Sequence, residues 1–162
     1  MFPTYVHIFF VLLYNGFAYG IVCQDGWVTF QDSCYLFARN HKSSFTEAEN
    51  YCRQHGGHLV EIETKYESMF IRDYLRGMIA EYHWIGLTDE MVEGVWKWYT
   101  SKHTPSFTDW HVSEPNSHGG EEDCAISSSG EDYQWADVPC DGRVAEPLCE
   151  VKSSEVDVGV IG

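Results

Sequence analysis

Acidic and amide side chains crowd residues 114–124, which read Glu-Pro-Asn-Ser-His-Gly-Gly-Glu-Glu-Asp-Cys. A second short stretch, Gln134-Trp135-Ala136-Asp137, follows just ahead of Cys140. Carboxylate and carboxamide oxygens are hard ligands, and Ca²⁺ takes about six to eight of them. Glu114, Asn116, Glu122 and Asp137 can supply such oxygens to a single ion. Carboxylates gathered this closely repel one another unless a cation sits among them. The spacing is not that of an EF-hand loop, because D-x-[DN]-x-[DN]-G is absent. A solvated acidic loop is the plainer reading of any such run. Here the interspersed amide, the proline and the flanking cysteines favour a metal site.

The other chemistries are thinly supported. His55-Gly-Gly-His58 has no third ligand nearby and departs from zinc spacing. His118 sits inside the acidic stretch and reads as solvent-exposed, with contact to a ligand as the alternative. Trp96, Trp98 and Trp110 read first as core, although an aromatic face beside a sugar is a known use of such rings. No Gly-x-Ser-x-Gly, His-Glu-x-x-His or phosphate-binding loop occurs. The chain is therefore expected not to be an enzyme.

These residues need elements to position them. Trp27–Phe30 and Cys34–Phe37 suggest two short strands around a turn. Ser44-Phe45-Thr46-Glu47 is a capping box that opens a helix carrying Phe45, Ala48, Tyr51 and Cys52, and Gly56-Gly57 closes it. Leu59, Val60 and Ile62 suggest a strand. Thr64-Lys65-Tyr66-Glu67 is a second capping box, and Met69, Phe70, Tyr74, Leu75 and Ile79 are expected along one side of the helix it opens. Beyond residue 88 the pattern becomes irregular, with short strands expected at Val95–Tyr99, Cys124–Ile126 and Leu148–Val151. Between residues 89 and 141 lie twelve acidic and two basic side chains. A long irregular segment inside a compact domain needs disulfides or metal to hold it.

Composition bounds the partners. The 162 residues carry 25 acidic and 10 basic side chains, a formal charge of −15. That excess argues against nucleic acid and anionic membranes. The first twenty residues are uncharged. Their apolar run and the Ala18-Tyr19-Gly20 end predict a secretory signal peptide over 1–20, despite the missing basic start. A domain is expected over 21–151 and a short tail over 152–162. Six cysteines behind a signal peptide imply disulfides in a secreted, extracellular protein, and six allow 15 pairings. No Asn-x-Ser/Thr sequon is present.

Several fragments in order carry a family resemblance. Phe45-Thr-Glu-Ala-Glu-Asn-Tyr-Cys52 with Gly56-Gly57-His-Leu59-Val60, then Trp84-Ile85-Gly86-Leu87, Glu114-Pro115-Asn116 and Trp135-Ala136-Asp137, resemble the signature pieces of C-type lectins across residues 23–151. The resemblance implies an α+β fold of two helices, small antiparallel sheets and a long calcium-stabilised loop. It implies the disulfides Cys52–Cys149 and Cys124–Cys140, with Cys23–Cys34 in the long form. In the loop-entropy model the longest bridge is worth about 4–5 kcal/mol and the short one over the loop about 3 kcal/mol.

The resemblance also assigns roles. Glu114, Asn116, Glu122 and Asp137 form the principal Ca²⁺ and carbohydrate site, where Glu-Pro-Asn matches mannose-type sugars with equatorial 3- and 4-hydroxyls and the peptide before Pro115 is usually cis. Asp89, Glu93 and Asp123, with Glu122, form an auxiliary Ca²⁺ site. Two positions depart from the pattern. Ala136 stands where a ligand Asn is usual, which weakens the principal site, and Ser117 stands where the auxiliary site usually has an acid.

The expected function is calcium-dependent recognition of mannose-type glycans, in innate defence, with several copies needed for useful avidity. Any homo-oligomer must arise from the domain itself. One alternative is an acidic, perlucin-like lectin acting on calcium carbonate mineral. Another is a lectin-like domain that binds protein with an impaired calcium site.

Overall fold

The computed structural model describes residues 23–152. The expected signal peptide lies outside these residues, as does the expected tail 152–162 from 153 onward; Lys152 itself ends the last strand, paired with Ser33. Among the described residues, no helix is long and apolar enough to cross a membrane.

The chain runs β1 (Val28–Phe30), β2 (Ser33–Phe37), α1 (Phe45–Gln54), β3 (His58–Leu59), α2 (Lys65–Met78), β4 (Tyr82–Thr88), β5 (Lys97–Trp98), β6 (Cys124–Ser128), β7 (Trp135–Val138) and β8 (Glu146–Lys152). The strands join in the order β1-β2-β8-β4-β6-β7, with β3 on β8 and β5 on β4. Pairing is antiparallel except between β4 and β8, which run parallel at His83–Glu146 and Trp84–Pro147. The expected small antiparallel sheets are thus fused through one short parallel contact.

Local chemistry explains the helix starts. At α1 the Ser44 side chain accepts from Glu47 N–H while Glu47 accepts from Ser44 N–H, a complete capping box. At α2 only half of the expected box forms. Thr64 accepts from Glu67 N–H, but the Glu67 carboxylate turns inward, accepting from Glu63 N–H and from the Tyr35 hydroxyl at 2.8 Å. Burial and the nearby Glu150 charge push Glu67 up to about 7.

The buried face of α2 also differs from the expected stripe. Glu67, Ser68, Ile71 and Leu75 face inward, while Met69, Tyr74 and Ile79 are exposed. The buried Ser68 is satisfied by donating to Asp109 at 2.6 Å, so a polar residue can occupy the inner face. Of the expected strand through Leu59, Val60 and Ile62, only His58–Leu59 pairs as strand. Val60 N–H still donates to Leu148 O at 2.9 Å.

Two apolar clusters flank the sheet. One gathers Tyr35, Ile71, Leu75, Ile85, Leu87, Trp98 and Trp135; the other gathers Phe45, Ala48, Leu59, Trp84, Ile126 and Ala136. Trp98 is buried, and Trp96 and Trp110 pack against the first cluster at a ring separation of 4.7 Å. All three tryptophans belong to packing. Gly86 is fixed by close approach: a Cβ there would meet Leu59 O at 2.8 Å. The three disulfides are Cys23–Cys34, Cys52–Cys149 and Cys124–Cys140, the set that the resemblance implied.

Candidate functional site

The segment between β4 and β6 holds only β5 as regular structure, so its position depends on anchors. Trp96, Phe107 and Trp110 pack into the core. Asp109 O accepts from Trp135 N–H, and His111 N–H donates to Trp135 O, both at 2.9 Å. These bonds lay the start of the acidic loop alongside β7. The Cys124–Cys140 bridge ties the end of the loop to the segment after β7.

On this frame the four principal residues come together. They line one open depression of about 620 Å³, with Ala136 in its wall. The Glu114–Pro115 peptide is cis. Asn116 Nδ2 donates to Glu114 Oε2 at 2.6 Å, and Asn116 N–H donates to both Asp137 oxygens at 3.0 and 3.1 Å. Asp137 is buried on β7, and Glu122 is half-buried with its Oε2 enclosed and without a hydrogen-bond partner.

Burial raises Glu114 to about 7, helped by Asp137, Glu122 and Glu131. A set of crowded oxygens with one left unsatisfied suits a hard cation, which would stabilise the charges that now oppose one another.

The auxiliary residues also meet. Carboxylate oxygens of Asp89, Glu93 and Asp123 lie within 4.8 Å of one another. Asp89 N–H donates to Asp123 O at 3.1 Å, while Asp89 Oδ2 accepts from Gly94 N–H at 2.7 Å. Asp89 Oδ1 is buried without a partner, and burial of this side chain shifts its pKa upward. Ser117 stands between the two groups. Its hydroxyl donates to Glu93 at 3.1 Å and its N–H to Asp137 at 2.7 Å.

The secondary candidates separate. His118 is exposed and lines the depression. His55 and His58 each turn Nδ1 to a backbone carbonyl, Tyr51 O and Leu59 O, both at 2.8 Å. Sequence reasoning missed much of the depression wall, Tyr82, Glu131 and Val144 among it. Glu131 pairs with His111 at 2.8 Å and adds to the negative field on Glu114. Its charge is the only sequence signal it carries, because the turn after β6 brings it to the site from a distance in the chain.

Comparison with known proteins agrees with this architecture. Residues 41–151 match the family model described as the lectin C-type domain. A "Perlucin-like protein" of Mytilus galloprovincialis is 29% identical over 145 residues, covering 88% of this chain and 92% of that one. The carbohydrate-recognition domain of the human scavenger receptor C-type lectin superposes with a TM-score of 0.71 at 35% identity, covering 81% of this chain and 99% of that one. The cow carbohydrate-recognition domain of CD23, solved in the presence of a GlcNAc2Man3 oligosaccharide, gives a TM-score of 0.72 at 27% identity, covering 82% and 98%.

Proposed function

We propose, from the premise that this chain belongs to the C-type lectin family, that it binds mannose-type glycans through calcium, outside the cell. The family is non-enzymatic, and the domain is a carbohydrate-recognition domain, not an enzyme. One observation carries the finer reading: Glu114, Asn116, Glu122 and Asp137 share a single depression in which a buried Glu122 oxygen lacks a donor.

Glu114, Asn116, Glu122 and Asp137 would hold the principal ion, and Asp89, Glu93 and Asp123 an auxiliary one. When bound, calcium supplies a coordination point for two vicinal sugar hydroxyls. The side chains of the depression do the remaining work. Carboxylates accept from sugar hydroxyls, and the Asn116 amide can release Glu114 and donate to a hydroxyl instead. Glu before Pro115 and Asn after it fit an equatorial diol of the mannose type. Ala136 offers no oxygen, so affinity rests on the other four residues. A shallow site of this kind gives weak single-site binding, and multivalent display would raise it. Recognition of microbial or self glycans in innate defence follows as the biological role.

The test is retention of the folded, disulfide-bonded protein on immobilised mannose in Ca²⁺ and then in EDTA. Free mannose and galactose serve as competitors. Retention lost in EDTA and competed by mannose alone supports the reading; no retention in calcium refutes it. The net charge of −15 and the perlucin-like relative favour a second reading, adsorption to calcium carbonate. Adsorption to calcium carbonate that free mannose does not inhibit would select that one.

A further inference from the structure

Helix α2 carries an outward row of apolar side chains that the core does not cover. Tyr66, Phe70, Tyr74 and Met78 stand four residues apart and so lie one above another along the helix. Met69 flanks the row, and Ile79 stands at its end. Tyr66, Met69, Tyr74 and Ile79 are 72%, 48%, 36% and 88% exposed, while Phe70 and Met78 are half-buried. The row is held from beneath: Phe30 stacks on Phe70 at 4.3 Å, and Phe37 on Tyr74 at 4.2 Å. From Tyr66 to Met78 it runs about 18 Å, at about 1.5 Å per residue.

Ile79 adds strain to exposure. It ends α2 in the left-handed region, with φ at +54°. A β-branched side chain there is an outlier, and glycine is the usual occupant. An apolar side chain is thus held in a costly conformation and turned to water. Covering by a second surface offsets both costs.

Area and charge choose that surface. A whole aromatic side chain offers about 150–250 Å², so the exposed fractions together present roughly 500 Å². That area suits the apolar core of an interface that buries about 800 Å² per partner inside a polar rim. The chain has a net charge of −15, yet α2 carries Lys65, Arg72 and Arg76 against Glu67 and Asp73. The acids beside it are paired, Asp132 with Arg72 and Arg76 and Glu63 with Lys152. Two copies meeting here press no excess of negative charge together, as they would at the acidic stretch from 89 to 141. The row also complements itself. About a two-fold axis through its midpoint, antiparallel helices set Tyr66 of one copy against Met78 of the other and Phe70 against Tyr74. The same pairing brings Lys65 toward the C-terminal end of the other helix, where a cation is favoured.

We infer that the exposed face of α2 is the contact of a closed homodimer, in which two copies pack antiparallel through Tyr66, Met69, Tyr74 and Ile79. None of these residues lines the acidic depression, so the contact leaves it out. The dimer needs no calcium, and it supplies the second site that weak single-site binding calls for.

Sedimentation equilibrium over about 1–200 µM protein, in Ca²⁺ and in EDTA, tests the inference. The folded, disulfide-bonded wild type should pass from monomer to dimer with a micromolar dissociation constant, equal in both buffers. Tyr66→Ser and Met69→Ser together should weaken the dimer by about tenfold or more. Ile79→Gly should weaken it by about threefold or more while keeping the fold, because glycine is at ease at this φ. The substituted positions are exposed, and thermal unfolding checks that both variants fold. A wild type that stays monomeric at every concentration overturns the inference. So does a dimer of undiminished strength in both variants, which would place the contact elsewhere, or one that dissociates in EDTA, which would place it on the calcium loops.

Discussion

The Ser117 hydroxyl donates to Glu93 at 3.1 Å, and through that bond one residue links two acidic groups. Its own N–H reaches Asp137 in the principal set, while Glu93 belongs to the auxiliary one. Ser117 also has a left-handed backbone, with φ at +46°. Aspartate tolerates that conformation better than most residues. Ser117→Asp should therefore fold normally and add a carboxylate oxygen beside Asp89, Glu93 and Asp123. The expected result is calcium binding at the auxiliary group tightened by about tenfold, read as a second event in calorimetry. An unchanged titration would mean that these three acids do not form a cation site.

Ala136 makes the complementary case. It is 8% exposed on β7, faces the depression, and brings no ligand atom. Ala136→Asn adds one oxygen and one amide beside Asp137. If the four-residue set holds calcium, this variant should bind both calcium and mannose about tenfold more tightly, a gain of roughly 1.4 kcal/mol. A variant that gains neither, yet unfolds at the wild-type temperature, would show that the depression is not the calcium site.

The pH dependence follows from Glu114, which burial and the neighbouring Asp137 push up to about 7. Calcium needs the ionised form, so protons compete with it. Calcium affinity should begin to fall as pH drops through about 7 and be far weaker at pH 5. Ion-free stability should move the other way. The folded pKa lies above the ordinary 4.5, so the burden of this charge is present above about pH 7 and is relieved as pH falls toward 4.5. Unfolding midpoints across pH 5–8, with calcium and with EDTA, should therefore slope in opposite directions. Parallel slopes would contradict the assignment of Glu114 as a ligand.

How much of this was legible beforehand depends on where the determining contacts lie. The start of α1 was readable because Ser44 and Glu47 satisfy each other locally. The inner face of α2 was not, because Glu67 and Ser68 are made tolerable by Tyr35 and Asp109, which are distant in sequence. β4 was visible only as the tetrapeptide Trp84–Leu87. Buried from His83 to Thr88, it lacks the alternation that marks a half-exposed strand. In the site, the convergence of Glu114, Asn116, Glu122 and Asp137 was legible because they cluster in two short stretches. The places of Tyr82 and Val144 in the depression wall were not, since they belong to segments that meet only when β4, β6 and β8 assemble.

Asp109 is the distant contact with the widest reach. Its Oδ2 accepts from Ser68 at 2.6 Å and from Arg72 at 3.1 Å, its Oδ1 accepts from Gln134 at 3.1 Å, and its carbonyl holds Trp135 N–H. It thus fastens α2 to the start of the acidic loop and to β7, which carries Asp137. Asp109→Ala would leave the buried Ser68 hydroxyl without an acceptor and Gln134 with only its longer bond to Trp110 O, while Arg72 keeps Asp132. The cost should be about 2–3 kcal/mol, from the lost charge-assisted bonds and the stranded hydroxyl. Asp109→Asn, which retains one oxygen, should cost less. Because the backbone bonds to Trp135 persist while the side-chain bonds that fix the start of the loop to α2 and to Gln134 are lost, calcium affinity should fall in the same order, Ala below Asn below wild type. Thermal unfolding in EDTA gives the stability cost and calorimetry gives the affinity. A stability loss with calcium affinity unchanged in both variants would show that Asp109 secures α2 alone and leaves the site geometry to the cystine and the tryptophans.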